Sequence, residues 1–345
     1  MSSQTLSYII QMNSNFDKVY ASFNKFSNGV NTGVDNIQRK LNSVSLNAMI
    51  QNINSAADGL NSLNDPGMKL STNMYDLQAI TGVAGDKLKE IEGYARQNAK
   101  TFGGDASASA ESYKLILSQL SPEIAKMPKA LQAMGKEVSV TSKLMGGDTV
   151  AATNVLTTAM NQYQIALDDP IKASKEMARM NNVMAAAAKE GSAELPQIAQ
   201  ALEQSGLAAK TAGVSFEETN AFIQVLDKNG KKGAEGGVAL RNVMATLAQG
   251  RFLPKDTKAE LAAAGVNIDT LTDSSLSLSD RLKPLKGIMN DQALVTKLFG
   301  KENSNAAIAM ISNTDEANRL TVAVTGTKTA DEQADVVMMS QEETN

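Results

Sequence analysis

Apolar residues recur along the chain at intervals of three and four, which places them on one face of an α-helix. Between Leu240 and Leu247 they fall at i, i+3, i+4 and i+7. A longer series of the same kind runs through the amino-terminal region: Phe23, Phe26, Val30, Val34, Ile37, Leu41 and Val44. We therefore expect an all-α protein, with an amino-terminal apolar seam that packs against a helix of this chain or of another copy.

Turn-forming residues divide the chain into three regions. An Asp-Pro-Gly turn at 65–67 ends an Asn- and Ser-rich region, and short Gly, Pro and Asp segments then recur between helical patterns. We predict long amphipathic, coiled-coil-like helices over 1–75 and a multi-helix core domain over 76–320. For 321–345 we predict a weakly structured tail, or a point at which the chain was cut.

A glycine-rich segment, KNGKKGAEGGVALRNVMATL, occupies residues 228–247. It lacks the G-x-x-x-x-G-K-[ST] spacing of a phosphate loop and the G-x-G-x-x-G spacing of a dinucleotide site, so we interpret it as a helix connection. Upstream, Ser215 and Glu218 have capping-box spacing, and Asn229–Gly230 predicts a helix end. The glycines are expected to let the two flanking helices pack tightly.

The composition favours helices and narrows the possible chemistry. Aromatic residues make up only 4% of the chain, methionine is frequent at 17 residues, and cysteine and histidine are absent. Disulfides, zinc sites of the usual ligand sets and imidazole catalysis are therefore excluded. A net charge of −4 without a basic stripe argues against nucleic-acid binding. We predict no catalytic, cofactor-binding or metal-binding residues, no cofactor and no small-molecule substrate.

Carboxylates provide the few candidates for enzymatic chemistry. Asp168 and Asp169 are adjacent, but Pro170 follows them, so a helix start is the better interpretation. Glu194 is a candidate lone general acid, although a position at a helix entry explains it more simply. The start of the chain lacks a signal-peptide pattern, and no run of about 18 apolar residues predicts a membrane span. We expect a protein made in the cytoplasm.

Two further features are open to more than one interpretation. Arg241 follows a core-facing leucine and could pair with Glu235 or Glu217, or remain in water. Three methionines at helical spacing are interpreted as core filling rather than as an adaptable partner surface: Met177, Met180 and Met184.

From about residue 77 to residue 315 the sequence resembles the core region of phage tail tape-measure proteins. The resemblance lies in segments 76–103, 146–165, 177–249 and 295–311. Its most specific part is a glycine-rich turn followed by Leu-Arg, preceded by AGVSFEET at 212–219: Gly233, Gly236, Gly237, Leu240 and Arg241. The chain departs from the family at Asn182, where an Asp is frequent, and in the extra lysines Lys231 and Lys232.

The resemblance implies a structural, non-catalytic protein that sets phage or prophage tail length and scaffolds tail-tube assembly. It implies a place in the lumen of the virion tail after assembly in the host cytoplasm. The implied partners are other copies of the chain, tail-tube subunits, tail assembly chaperones and baseplate or hub proteins. Two alternatives remain: a self-assembling helical protein of a secretion or needle-like system, and a tail-associated cell-wall lytic enzyme.

Overall fold

The structure, a computed structural model, describes residues 66–342, with side-chain surroundings over 67–339. The chain divides into two compact units, the first ending at Ala79 and the second beginning at Ile80. The apolar seam from Phe23 to Val44, and with it most of the predicted region 1–75, lies outside the described residues. That seam stays a prediction.

The described residues are helical and contain no β-strand, which confirms the predicted all-α class. The sixteen α-helices of this part are α1 (Pro66–Thr81), α2 (Asp86–Phe102), α3 (Ala106–Gln119), α4 (Pro128–Leu144), α5 (Thr149–Gln162), α6 (Pro170–Glu190), α7 (Leu195–Thr211), α8 (Phe216–Lys228), α9 (Gly233–Gln249), α10 (Lys255–Ala263), α11 (Ile268–Thr272), α12 (Leu278–Leu282), α13 (Gln292–Phe299), α14 (Ser304–Ser312), α15 (Thr314–Val324) and α16 (Thr329–Glu342). Short 3₁₀ turns lie at Pro122–Lys126, Gly250–Phe252 and Lys283–Ile288.

Side-chain caps explain where several helices begin. Asp105 accepts the N–H of Ser107 at the start of α3, and Asp148 accepts the N–H of Ala151 at the start of α5. Asp169 accepts two backbone N–H groups at the start of α6, directly before Pro170. The interpretation of the Asp-Asp-Pro run as a helix start is therefore confirmed for Asp169.

The second unit is built around α8. Helices α6, α7, α9, α14 and α15 all pack against it, and eleven of its thirteen residues are buried. In the neighbouring layers α4 packs on α2, α5 and α6, while α7 packs closely on α5 and α9. The methionine stripe faces this core, since Met177, Met180 and Met184 are fully buried, which confirms the core interpretation.

The carboxyl-terminal region contains a helix that its local pattern does not predict. Residues 329–342 form α16, which packs on α4 and α6, in contrast to the weakly structured tail expected for 321–345. Its inward face consists of small residues, Ala330 and Ala334, in a cluster with Phe102, Val140 and Ala185. Two alanines give a weak apolar periodicity, and the partners that bury them lie far away in the sequence. The division into three domains stays a prediction.

Gly135, within α4, allows close packing of the aromatic ring of Tyr113. A Cβ at this position would overlap the ring, whose hydroxyl accepts a 3.2 Å hydrogen bond from Asn98. We expect Gly135→Ala to lower the free energy of unfolding by about 1–3 kcal/mol, because the buried ring cannot move without strain. Urea denaturation followed by circular dichroism measures this change.

Gly93 supplies the matched control. It is exposed within α2, and a Cβ added there meets nothing within 4 Å. Gly93→Ala should raise stability by up to about 1 kcal/mol through helix propensity alone. Equal effects of the two substitutions would contradict the packing argument.

Candidate functional site

The segment that carries the family resemblance lies at the centre of the second unit, around α8. Ser215 begins that helix, and its hydroxyl oxygen accepts the N–H of Glu218 at 3.1 Å, as the capping-box spacing predicts. The carboxylate of Glu218 does not complete the box. It accepts the N–H groups of Leu278 and Ser279 at 3.0 and 2.9 Å, and so caps α12 instead. This partner was not predicted, because it lies about sixty residues away.

A buried arginine completes the junction between α8 and α12. Arg281 is only 1% exposed, and its guanidinium donates to the carbonyl oxygens of Leu271 and Ala212 at 3.0 and 3.1 Å. Burial lowers the pKa of Arg281, while the charges of Glu218 and Asp273 act in the opposite direction. Through their hydrogen bonds to backbone groups, Glu218 and Arg281 together join α8 and the turn before it to α11 and α12.

Tyr163, at the end of α5, contacts the same turn from the other side. Its hydroxyl lies within hydrogen-bond distance of the Thr219 hydroxyl and the carbonyl oxygens of Val214 and Ser215. Its ring meets Phe216 edge to face, with centroids 5.0 Å apart. Burial raises the pKa of Tyr163 well above its usual range. The phenol therefore stays protonated and can donate to these oxygens.

The far end of α8 is bonded to the turn between α6 and α7. Gln224 accepts the N–H of Ala193 and donates to its carbonyl oxygen, both at 2.8 Å. Asp227 accepts a 2.6 Å hydrogen bond from the Ser192 hydroxyl. A Cβ at Gly191 would overlap the Gln224 side chain, so a larger residue there would displace this amide.

The glycines of the motif that carries the resemblance allow a close helix crossing. The helix that α9 crosses most closely is α7, and not the preceding helix α8 as expected. A Cβ on Gly237 would overlap the carbonyl oxygen of Ala201 in α7 and lie 2.8 Å from its Cα. A Cβ on Gly236 would lie 2.5 Å from the carbonyl oxygen of Lys231 in the preceding turn. Gly233 has φ +50°, in the left-handed region that favours glycine. The tight contact is thus chiefly between α9 and α7 rather than between the two sequential helices.

Leu240 and Arg241 lie in opposite environments, one in the core and the other in solvent. Leu240 is fully buried, whereas Arg241 is exposed and forms no ion pair with any residue in the described part of the chain. Both partners considered from the sequence are engaged elsewhere, because Glu217 binds Arg179 and Glu235 binds Lys231. Of the open interpretations of Arg241, the structure therefore supports the solvent-exposed one.

The remaining candidates lie apart from this centre. Glu194 is exposed at the start of α7, on the rim of a groove of about 1010 Å³ formed by α4, α5, α6, α7 and α16. Asn182 is buried in α6, and its side-chain oxygen accepts the N–H of Ala330 at 2.9 Å. Over 66–342, no cluster of acidic residues could hold a metal ion, and no helix has the length and hydropathy of a membrane span.

A family model described as phage-related minor tail protein matches residues 96–300, more than half of the chain. The chain belongs to this family. The match includes every residue of the glycine-rich motif and the α8 junction. It places the protein among structural components of phage tails.

Two curated relatives of the chain are named as tape measures. The chain is 23% identical over 255 residues to the tape measure protein of Pneumococcus phage Dp-1, covering 71% of this chain and 20% of that protein. It is 24% identical over 272 residues to the probable tape measure protein of Escherichia phage P2, covering 75% and 31%. No solved structure matches the chain. The chain thus spans less than a third of the length of either relative. The names of both relatives confirm the resemblance to tape-measure proteins.

The α9–α7 crossing predicts a strong effect of a small substitution. Gly237→Ala should lower the free energy of unfolding by about 1–3 kcal/mol, because the added Cβ overlaps backbone atoms of Ala201 that cannot rotate away. Gly287→Ala is the control, since its nearest neighbour would be 3.8 Å away. Differential scanning calorimetry of both variants measures the difference. A melting temperature of Gly237→Ala equal to that of the wild type would show that the crossing tolerates a Cβ.

The cap of α12 by Glu218 gives a separate prediction. Glu218→Gln keeps one acceptor oxygen but loses the other and the charge beside Arg281, so we expect a loss of about 1–3 kcal/mol in unfolding free energy. Glu203→Gln, an exposed change in α7, should have little effect. Hydrogen exchange at residues 278–282 locates the damage, and unchanged protection there in the Glu218 variant would contradict the capping role.

Proposed function

We propose that the chain acts as part of a tape measure protein, which sets tail length and scaffolds the assembly of the tail tube. The observation that carries the proposal is the family match over residues 96–300, supported by two relatives named as tape measures. Both alternatives, a needle-like secretion component and a lytic enzyme, lack such support. The proposed location is the lumen of the virion tail, after assembly in the cytoplasm of the bacterial host.

The described unit is suited to scaffolding rather than to measuring. A helix rises about 1.5 Å per residue, so a ruler needs long, uninterrupted helices. The longest described helix, α6, has 21 residues, which corresponds to about 31 Å. The second unit instead folds its helices back around α8. We therefore assign length measurement to segments outside this unit and a folded, organising role to the unit itself.

The proposed partners are further copies of the chain, tail-tube subunits, tail assembly chaperones and baseplate or hub proteins. The proposal is non-catalytic. Glu194, the candidate lone general acid, is exposed to solvent, whereas a catalytic general acid is commonly held in an apolar pocket. Hydrolysis of peptidoglycan by the purified chain would contradict the non-catalytic assignment.

A deletion made in the encoding phage or prophage tests whether the length of the chain determines the length of the tail. Removal of residues 23–44, which carry the predicted seam and leave the second unit intact, should shorten the tail by about 33 Å if each residue contributes a helical rise. Electron microscopy of tails measures the shift. Replacement of the same 22 residues by an unrelated helix-forming sequence of equal length is the control and should preserve tail length.

Two outcomes would contradict the proposal in different ways. Tails of unchanged length in the deletion variant would show that residues 23–44 do not contribute to the determination of tail length. Tails that assemble normally without the chain would contradict the scaffolding role as well.

A further inference from the structure

The helix α16 packs on α4 and α6 through small apolar residues. Between α15 and α16 the chain passes through Gly326, whose φ of +69° lies in the left-handed region. The apolar contact of α16 is made by Ala330 and Ala334, joined by the partly buried Met338. Burial of two alanine side chains contributes little, because the hydrophobic free energy scales with the apolar area removed from water.

Polar contacts add to this attachment. The side-chain oxygen of Asn182 accepts the N–H of Ala330 in the first turn of α16, and its backbone oxygen accepts from the Thr327 hydroxyl at 3.4 Å. Lys136 on α4 lies 3.8 Å from Asp331 on α16, in a pair that is more than one-third exposed and therefore weak.

A buried carboxylate lies beside this contact. Glu137 on α4 is 5% exposed, and its carboxylate accepts a 2.9 Å hydrogen bond from Asn181, whose amide oxygen accepts from the Thr141 hydroxyl. Burial raises the pKa of Glu137, the Asn181 hydrogen bond lowers it, Asp331 on α16 raises it and Lys136 on its own helix lowers it. The helix α6 contributes the neutral Asn181 and Asn182 here.

We propose that α16 is a reversible latch, whose docking on α4 and α6 is coupled to the protonation of Glu137. The physical reason is linkage: when α16 leaves, the like charge of Asp331 leaves with it, and ionised Glu137 becomes less unfavourable. Glu137 therefore binds its proton more tightly when α16 is docked than when α16 is released. The stabilisation is fully present at low pH and is lost as the pH rises through the raised pKa of Glu137.

Release of α16 uncovers a defined surface. Its docked inward face covers Phe102, Val140 and Ala185, and the helix forms one wall of the groove beside Lys189 and Glu194. Undocking thus opens the groove and exposes an apolar patch at the same time. The latch goes beyond the proposed tail function and does not depend on it.

The absence of cysteine from the chain makes the test direct, since two introduced thiols are the only ones. Val150→Cys on α5 and Met339→Cys on α16 change exposed positions, and spin labels on both report the distance between the helices. In the full chain, we expect a longer-distance population that grows at least about twofold from about pH 5 to about pH 8. A distance distribution that does not change over this range overturns the proposal.

A variant without the titratable carboxylate separates the latch from general effects of pH. Glu137→Gln keeps an acceptor for Asn181 but cannot ionise, so α16 should stay docked across the range. Glu111→Gln, an exposed change on α3, should behave as the parent. A longer-distance population in Glu137→Gln that still rises with pH contradicts the coupling. If Glu137→Gln fails to fold, Asp331→Asn serves instead, and an undiminished pH response in it contradicts the coupling equally.

Discussion

The fold of the second unit depends on the burial of α8 on almost every side. A buried helix satisfies its own backbone, but each polar side chain on it needs a partner, because an unsatisfied buried group costs about 1–3 kcal/mol. Glu218, Thr219, Gln224 and Asp227 are all buried, and together they bond to three separate segments: the start of α12, the end of α5 and the turn between α6 and α7. The polar residues of α8 therefore fix the positions of the elements around it.

The same helix explains why glycine is needed at the α9–α7 crossing. Both α7 and α9 pack on α8 as well as on each other, so the three axes must approach closely. Gly237 meets the backbone of Ala201, and Gly206 brings α7 against Gln162, where a Cβ would lie 2.6 Å from the Gln162 Cβ. Small residues at these two points let α7 lie between α5 and α9 while α8 stays covered.

The sequence predicted the helical class, several caps and the core face of α6, because these depend on residues within four positions of one another. Ser215 and Asp169 cap as their spacing predicts. The partners of Glu218, Gly237 and Asn182 could not be predicted, since each lies in a segment distant in sequence. Glu218 shows the reason: a carboxylate three residues after a serine has the spacing of a local cap, and only tertiary packing directs it to α12. The resemblance identified the family without these contacts, because it rests on the order of motifs.

Asn182, where the sequence resemblance leads us to expect an Asp in related proteins, affects the electrostatics around α16. The position requires an acceptor for the N–H of Ala330, which either Asn or Asp provides, and Asp would also suit the positive end of a helix. The amide additionally donates to the carbonyl oxygen of Ala178 at 3.0 Å, which an aspartate could not do. Asn also adds no negative charge near Glu137 and Asp331, whose like charges already repel each other. A neutral residue here therefore lets α16 dock beside a buried carboxylate, whereas a third carboxylate would increase the repulsion that docking must overcome.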